Sequence, residues 1–155
     1  MYNGMLHLHS VLRWVIFILL LVAVYKNFAD RNKEFTLAHK KIGLILMICA
    51  DTMLLVGLYQ WFAGPWGLKN IQAVGFKEIM SNSYYRFFAI EHTTGMLLAI
   101  ILIHLGYSYI KKDVPDIQKH KRSLLYYGLA ILIILISVPW PFRAVGQGRH
   151  WLPGL

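Results

Sequence analysis

The sequence predicts an all-α fold, in which four transmembrane helices form one bundle and a single domain covers residues 1–155. Hydrophobic residues make up 57% of the chain and charged residues only 15%, whereas about a quarter of a soluble domain is charged. Four separate stretches also reach the roughly 20 mostly apolar residues that a helix needs to cross the hydrocarbon layer. This composition excludes a soluble enzyme and a disordered chain.

The four predicted helices are joined by polar segments. The first covers about residues 6–28 and the second about 37–62, and each is apolar around its whole circumference, as expected of helices that face lipid. In the longer 63–83 connection, residues 70–80 are mildly amphipathic and suit the membrane interface, and the polar residues 81–83 offer N-caps for the next helix. The third helix covers about 84–110, and the fourth covers about 124–142 after a loop broken by Pro115.

Lysine and arginine are unevenly distributed between the two sides of the predicted bundle. The segments 26–41 and 111–122 hold five each, whereas the opposite side holds six in all. Since cytoplasmic loops are enriched in these residues, the distribution predicts that both termini lie outside. The net charge of +9 is therefore interpreted as topology. No nucleic-acid partner is expected, because no basic stripe with interleaved aromatics accompanies the charge.

Several titratable residues interrupt the apolar helices, where such groups are costly and usually functional. At the helical rise, His9, Arg13, His92 and Asp51 lie about 9 to 16 Å from the predicted outer helix ends. Because they come from three helices yet share one depth, we expect a common site in the outer half of the membrane. Glu91 joins this polar cluster, although it lies about 100° around the helix from His92 and cannot face the same point.

Structural roles remain open for the same residues. Arg13 could form a buried ion pair with Asp51 or Glu91 that holds the bundle together, and His92 could be a hydrogen-bonded structural histidine. The small residues of the second and third helices indicate either close helix packing or room for a flat cofactor. These residues are Gly43, Ala50, Gly57, Gly95 and Ala99.

The remaining histidines are predicted away from that site. His104 lies about 120° around the helix from His92, so the two do not share a face. His39 could reach His104 and form a second, inner site, although the lysines that follow His39 indicate a place near the headgroups. His7, His120 and His150 are expected to be solvated at the interface.

Three motifs carry a resemblance to a known family: HSVLRW at 9–14, RFFAIEH at 86–92 and PWPFR at 139–143. Together they resemble the small four-helix, cytochrome-b-like inner-membrane proteins of bacteria, over essentially the whole chain. The resemblance implies a bacterial inner-membrane location with periplasmic termini, and a haem b that is held without covalent bonds. Relatives of that pattern can carry a histidine in the second helix where this chain has Asp51, which implies either that this chain has lost the haem or that His9 and His92 hold it instead.

The predicted function is therefore electron transfer by haem b bound between the first and third helices. His9 and His92 would be the axial ligands, and Arg13, Arg86 and Arg143 would pair with the propionates. Lipids, other membrane subunits of a respiratory or quinone-linked complex, and a quinone are the expected partners. Two alternatives remain: a cofactor-free accessory or scaffold subunit, and a non-haem metal site in which Asp51 and Glu91 join the two histidines.

Other chemistries lack the residues that they need. The single cysteine, Cys49, excludes an intrachain disulfide, and the missing Cys-x-x-Cys-His motif excludes covalently attached haem. No nucleophile elbow is present. An electron-transfer or accessory subunit is thus favoured over a stand-alone enzyme.

Overall fold

The computed structural model describes residues 2–147 and Trp151, and within them all regular structure is helical. This confirms the predicted all-α class. Arg149, one of the six basic residues counted on the outer side, lies outside the described residues, as does His150, which was predicted to be solvated at the interface.

Four helices are long and apolar enough to cross a membrane. We label them α1, α2, α5 and α6, because two short helices, α3 and α4, lie between the second and the third of them. The bounds are Tyr2–Ala29 for α1, Leu37–Ala63 for α2, Leu68–Val74 for α3, Phe76–Ser81 for α4, Ser83–Ile110 for α5 and Asp116–Ser137 for α6. A 3-10 turn at Ala144–Gly146 follows.

The 63–83 connection is helical rather than a plain loop. Gly75 separates α3 from α4 and has a φ of 84°, a conformation that glycine adopts without steric cost. The side chain of Asn82 accepts hydrogen bonds from the backbone amides of Tyr84 and Tyr85. One of the polar residues predicted as caps therefore does cap α5.

The fourth long helix lies further towards the N-terminus than the predicted 124–142. It begins at Asp116, directly after Pro115, since a proline needs no amide partner at a helix start. It ends at Ser137 because Pro139 disfavours helical geometry at the residue before it, and Val138 accordingly has a ψ of 135°.

The long helices pack in a ring, in which α1 contacts α2, α2 contacts α5, α5 contacts α6 and α6 contacts α1. Consequently α1 and α5 face each other diagonally across the bundle. Each helix contributes a fully buried apolar residue to the core, namely Leu20, Leu46, Ile103 and Ala130. Residues on α1 and α5 can therefore meet at the bundle centre.

Small residues bring neighbouring helices close together. A Cβ atom at Gly106 would lie 2.6 Å from a ring carbon of Tyr127, and one at Gly95 would lie 2.7 Å from the Cβ of Ser137. A Cβ at Gly43 would lie 3.0 Å from the Tyr127 hydroxyl. At these positions the small residues serve helix packing, the first of their two interpretations.

Candidate functional site

The imidazole rings of His9 and His92 meet between the helices near one end of the bundle. Their centroids lie 6.3 Å apart, with the ring planes inclined by 60°. His9 belongs to α1 and His92 to α5, so the pair joins the two diagonal helices. The structure thus brings together the two histidines that the sequence analysis placed at one depth.

The end of α6 fixes the orientation of His92. Its Nδ1 lies 2.7 Å from the carbonyl oxygen of Ser137, which is among the last carbonyls of α6 and has no partner within the helix. Because a carbonyl oxygen only accepts, Nδ1 carries the proton and the ring lone pair is on Nε2. Metal-ligating histidines commonly have one ring nitrogen held in this way.

His9 is held differently. Its Nδ1 is buried and has no hydrogen-bond partner among the described residues, an arrangement that costs about 1–3 kcal/mol for a polar atom. Gly57 of α2 lies beside the ring, where an added Cβ would be 3.6 Å from Cε1 of His9. Gly57 therefore serves the histidine pair rather than a helix contact.

A cavity of about 490 Å³ opens beside the two histidines, between α1, α2 and α5. We call it the histidine cavity. Most of its wall is apolar, and its polar lining includes Ser10, Arg13 and Gln60. Both its size and its mixture of apolar wall and few polar groups are those of small-molecule sites.

Arg13 is the cation of the histidine cavity. Its Nη2 donates a hydrogen bond of 3.0 Å to the carbonyl oxygen of Trp151, which also accepts from Nε1 of Trp14 at 2.9 Å. The guanidinium lies 5.6 Å from the Trp14 ring and 5.9 Å from the Trp140 ring. Aromatic side chains thus hold this cation at the cavity wall.

The other two predicted propionate partners lie outside the lining of the histidine cavity. Arg86 forms an ion pair of 2.7 Å with Glu91 and donates to the carbonyl of Met80. Arg143 donates to carbonyls at the end of α6, one of them Val138 at 3.2 Å.

A π-helical turn at Phe87–Glu91 lies between Arg86 and His92 along the chain. Such turns insert an extra residue into a helix and often occur at functional sites. The indole Nε1 of Trp61 donates to the Ala89 carbonyl within this turn at 3.0 Å. Glu91 and His92 themselves keep αR backbone angles.

Asp51 pairs with His104 rather than with Arg13. Its Oδ1 lies 2.6 Å from Nε2 of His104, and the two side chains are 45% and 44% exposed. Among the described residues, no three or more histidine, cysteine or acidic side chains are grouped so that they could hold a metal ion. The predicted four-residue metal site is therefore not assembled, because Asp51 and Glu91 each contact another residue.

A histidine cluster that was not predicted from the sequence lies at the opposite end of the bundle. The rings of His39 and His120 lie 4.9 Å apart and both are buried, whereas they were expected near the headgroups and in solvent. Nδ1 of His120 lies 3.0 Å from the side-chain oxygen of Asn27, and Nε2 of His39 lies 3.3 Å from Asp30. The expected pairing of His39 with His104 does not form, since each has another partner.

Asn27 and Asp30 are the sequence signal that could have indicated this cluster. Asn27 lies in the last turn of α1 and Asp30 directly follows that helix, and each offers a side-chain oxygen to a buried imidazole.

Comparison with known proteins adds no relative. No protein-family model, no curated protein and no solved structure matches the chain. The cytochrome-b-like resemblance therefore stays a prediction from the three motifs.

Proposed function

We propose that this chain is a membrane electron-transfer protein that holds haem b between His9 and His92. The observation that carries the proposal is the separation of the two rings. Metal–imidazole bonds are about 2 Å long and a ring centre lies about another ångström beyond its nitrogen, so two histidines on one metal ion have centres roughly 6 Å apart. The observed separation is 6.3 Å.

The chemistry of the two histidines supports the same assignment. The hydrogen bond from Nδ1 of His92 to Ser137 leaves Nε2 as the ligating atom and raises its basicity. The buried Nδ1 of His9 has no hydrogen-bond partner among the described residues. A bound group could supply the missing interaction. Two neutral imidazoles from different helices are the ligand set of a non-covalent b-type haem.

The histidine cavity supplies what else a haem needs. Its apolar wall excludes water, and Gly57 leaves space beside the His9 ring. Arg13 lines the cavity and can balance the negative charge of a propionate. When bound, haem supplies a one-electron couple whose potential depends on the axial ligands and on burial.

We propose the bacterial inner membrane as its location, with both termini on the periplasmic side, which the distribution of lysine and arginine supports. Only short segments connect the long helices, so electrons would be exchanged with a quinone or with another membrane subunit of a respiratory complex.

A cofactor-free accessory subunit is the second candidate, and the Asp51–His104 pair favours it. The two side chains are nearly half exposed on helices that hydrocarbon would surround, where ionisable groups are costly. A neighbouring subunit that covers the pair would remove this cost. Copurification of larger subunits with colourless protein would support this candidate.

The experiment that tests the proposal is a reduced-minus-oxidised spectrum of the purified protein, with haem quantified as the pyridine complex. We expect a b-type α-band in the wild type and its loss in His9→Ala and in His92→Ala. The matched control is His104→Ala, which removes a histidine from the same helix as His92 and outside the histidine cavity.

Two outcomes would overturn haem binding between His9 and His92. One is a colourless wild type from cells supplied with a haem precursor, and the other is an equal haem content in the His9→Ala, His92→Ala double variant.

A further inference from the structure

A second cavity of about 390 Å³ lies at the opposite end of the bundle from the histidines. It is formed where α2 and α6 begin and where α5 ends. Four lysines line it against one carboxylate, and we call it the lysine cavity. Its lining consists of Lys40, Tyr107, Ile110, Lys111, Lys112, Asp113 and Lys119.

Two lysines of this cavity contact neighbouring side chains. The side chain of Lys119 is only 15% exposed and pairs with Asp116 at 3.2 Å. The ammonium group of Lys111 lies 4.4 Å from the ring centroid of Tyr107. Lys40, Lys111 and Lys112 are exposed at the mouth of the cavity, whereas Lys119 is partly covered.

The positive charge of the lysine cavity favours binding of an anion. Four lysines line this cavity with Asp113 as the one acidic residue among the lining, and Asp116 pairs with Lys119, so the cavity keeps an excess of positive charge. Lys40 and Lys119 also stand near the starts of α2 and α6, where the helix dipole adds positive potential. A phosphate group would balance this charge and accept hydrogen bonds from several lysines.

Apolar side chains extend from these lysines towards the middle of the bundle. On α2, Leu44 and Ile48 follow Lys40 at helical spacing and are 38% and 52% exposed. On the neighbouring α5, Leu105 and Ile101 precede Lys112 on one face and are 44% and 52% exposed. A ligand with a phosphate and hydrocarbon chains would match both surfaces.

We propose that the lysine cavity binds the headgroup phosphate of an anionic phospholipid, whose acyl chains lie along α2 and α5. Basic pockets between helices at the cytoplasmic face are the sites that recognise such headgroups. This inference does not depend on haem, because the two cavities share no residue.

The test measures lipid retention by native mass spectrometry of the purified full-length chain in non-ionic detergent. Phosphatidylglycerol is compared with phosphatidylcholine of the same acyl chains, and inorganic phosphate is added in a separate arm. We expect the wild type to retain phosphatidylglycerol and the Lys40→Gln, Lys119→Gln double variant to bind it roughly tenfold or more weakly.

The matched control is the Lys41→Gln, Lys121→Gln double variant. It removes two lysines from the same two helices, but neither residue lines the cavity, so its affinity should stay within about twofold of the wild type. The Lys111→Gln, Lys112→Gln variant gives a second measurement should the first variant not fold, and it should weaken binding in the same way.

Three outcomes would overturn the proposal. The control could lose phosphatidylglycerol as strongly as the cavity variants, phosphatidylcholine could be retained equally well, or inorganic phosphate could bind in the cavity without any preference for the lipid.

Discussion

At the scale of single residues, His9 and His92 have identical side chains that are positioned in different ways. His92 is oriented by a backbone carbonyl at 2.7 Å, whereas His9 is positioned by packing, with its Nδ1 buried and without a partner in the described part of the chain. Side-chain packing at His9 therefore controls how the pair is aligned. Gly57 is the residue through which this can be tested.

We expect Gly57→Ala to retain haem and Gly57→Leu to lose most of it. An added Cβ would make an ordinary contact of 3.6 Å with the His9 ring, but a leucine side chain would fill the cavity beside it. The measurement is the ratio of haem to protein, with Gly128→Leu as the control because a Cβ there meets no atom within 4 Å. Full haem content in Gly57→Leu would show that the cofactor lies elsewhere.

The carboxyl group of Asp30, in the loop after α1, should make the stability of the fold depend on pH. Hydrogen bonds from Lys33 and then Lys26 hold the pKa of this carboxyl well below its ordinary value. Its folded-state pKa is lowered, so it stabilises the fold above the ordinary pKa of about 4, and this contribution is lost as the pH falls towards the lower folded value.

Asp30→Asn should therefore lower the unfolding temperature at neutral pH and make its decline below about pH 4 shallower. Thermal unfolding in detergent between neutral and acidic pH measures this, with Glu34→Gln in the same loop as the control. If the unfolding temperature of Asp30→Asn falls as steeply below about pH 4 as that of the wild type, this pH dependence does not come from Asp30.

The sequence predicted which residues meet at the histidine cavity better than it predicted their partners. The common depth of His9, Arg13 and His92 followed from counting residues along apolar helices. The hydrogen bond from His92 to Ser137 spans 45 residues, and the carbonyl that accepts it depends on where α6 ends. No local pattern contains that information.

At the scale of helices, α5 and α6 are joined through glycines that accept large neighbours. Tyr127 packs where a Cβ at Gly106 would clash at 2.6 Å, and the ring is almost fully buried. The tight approach depends on this pair because a buried ring cannot move aside without opening the core.

We expect Gly106→Ala to destabilise the protein by about 1–3 kcal/mol, as overpacking of a filled core does. Gly128→Ala is the matched control on α6, since nothing lies within 4 Å of its added Cβ, and it should leave stability unchanged or slightly higher. Chemical unfolding in mixed micelles measures both. Equal stability of the two variants would mean that Tyr127 relaxes freely.

The apolar central parts of the long helices were predictable from the sequence, but some helix boundaries and irregular turns were not. The long apolar stretches were recognised because hydropathy marks them directly. The start of α6 was missed because the residues from Asp116 to Arg122 are mostly polar, so hydropathy does not mark them although they are helical. The π-turn before His92 was missed because it arises from tertiary contacts such as that of Trp61 with the Ala89 carbonyl.

At the scale of the whole molecule, the two cavities occupy opposite ends of the same bundle. Residues near the end of α2 line the histidine cavity, and Lys40 near its start lines the lysine cavity. A fixed orientation in the membrane would expose the two sites to different sides.

We expect the lysine cavity on the cytoplasmic side and the termini outside, because lysine and arginine are concentrated in the α1–α2 and α5–α6 segments. In a Cys49→Ser background, Gln147→Cys should react with an impermeant maleimide in intact spheroplasts, and Glu34→Cys should react only after lysis. The Cys49→Ser parent without an added cysteine is the blank. Labelling in the reverse pattern would invert the assignment.

The diagonal placement of α1 and α5 has a consequence for biogenesis. His9 enters the bilayer early, yet the nascent chain must be extended as far as His92 before a second imidazole arrives, and further to Ser137 before that imidazole is oriented. No pair of helices that are consecutive along the chain can assemble the pocket on its own. Under the haem proposal, the cofactor is loaded only after α5 and α6 have been inserted, and truncation ahead of α6 is expected to yield an inserted but empty product.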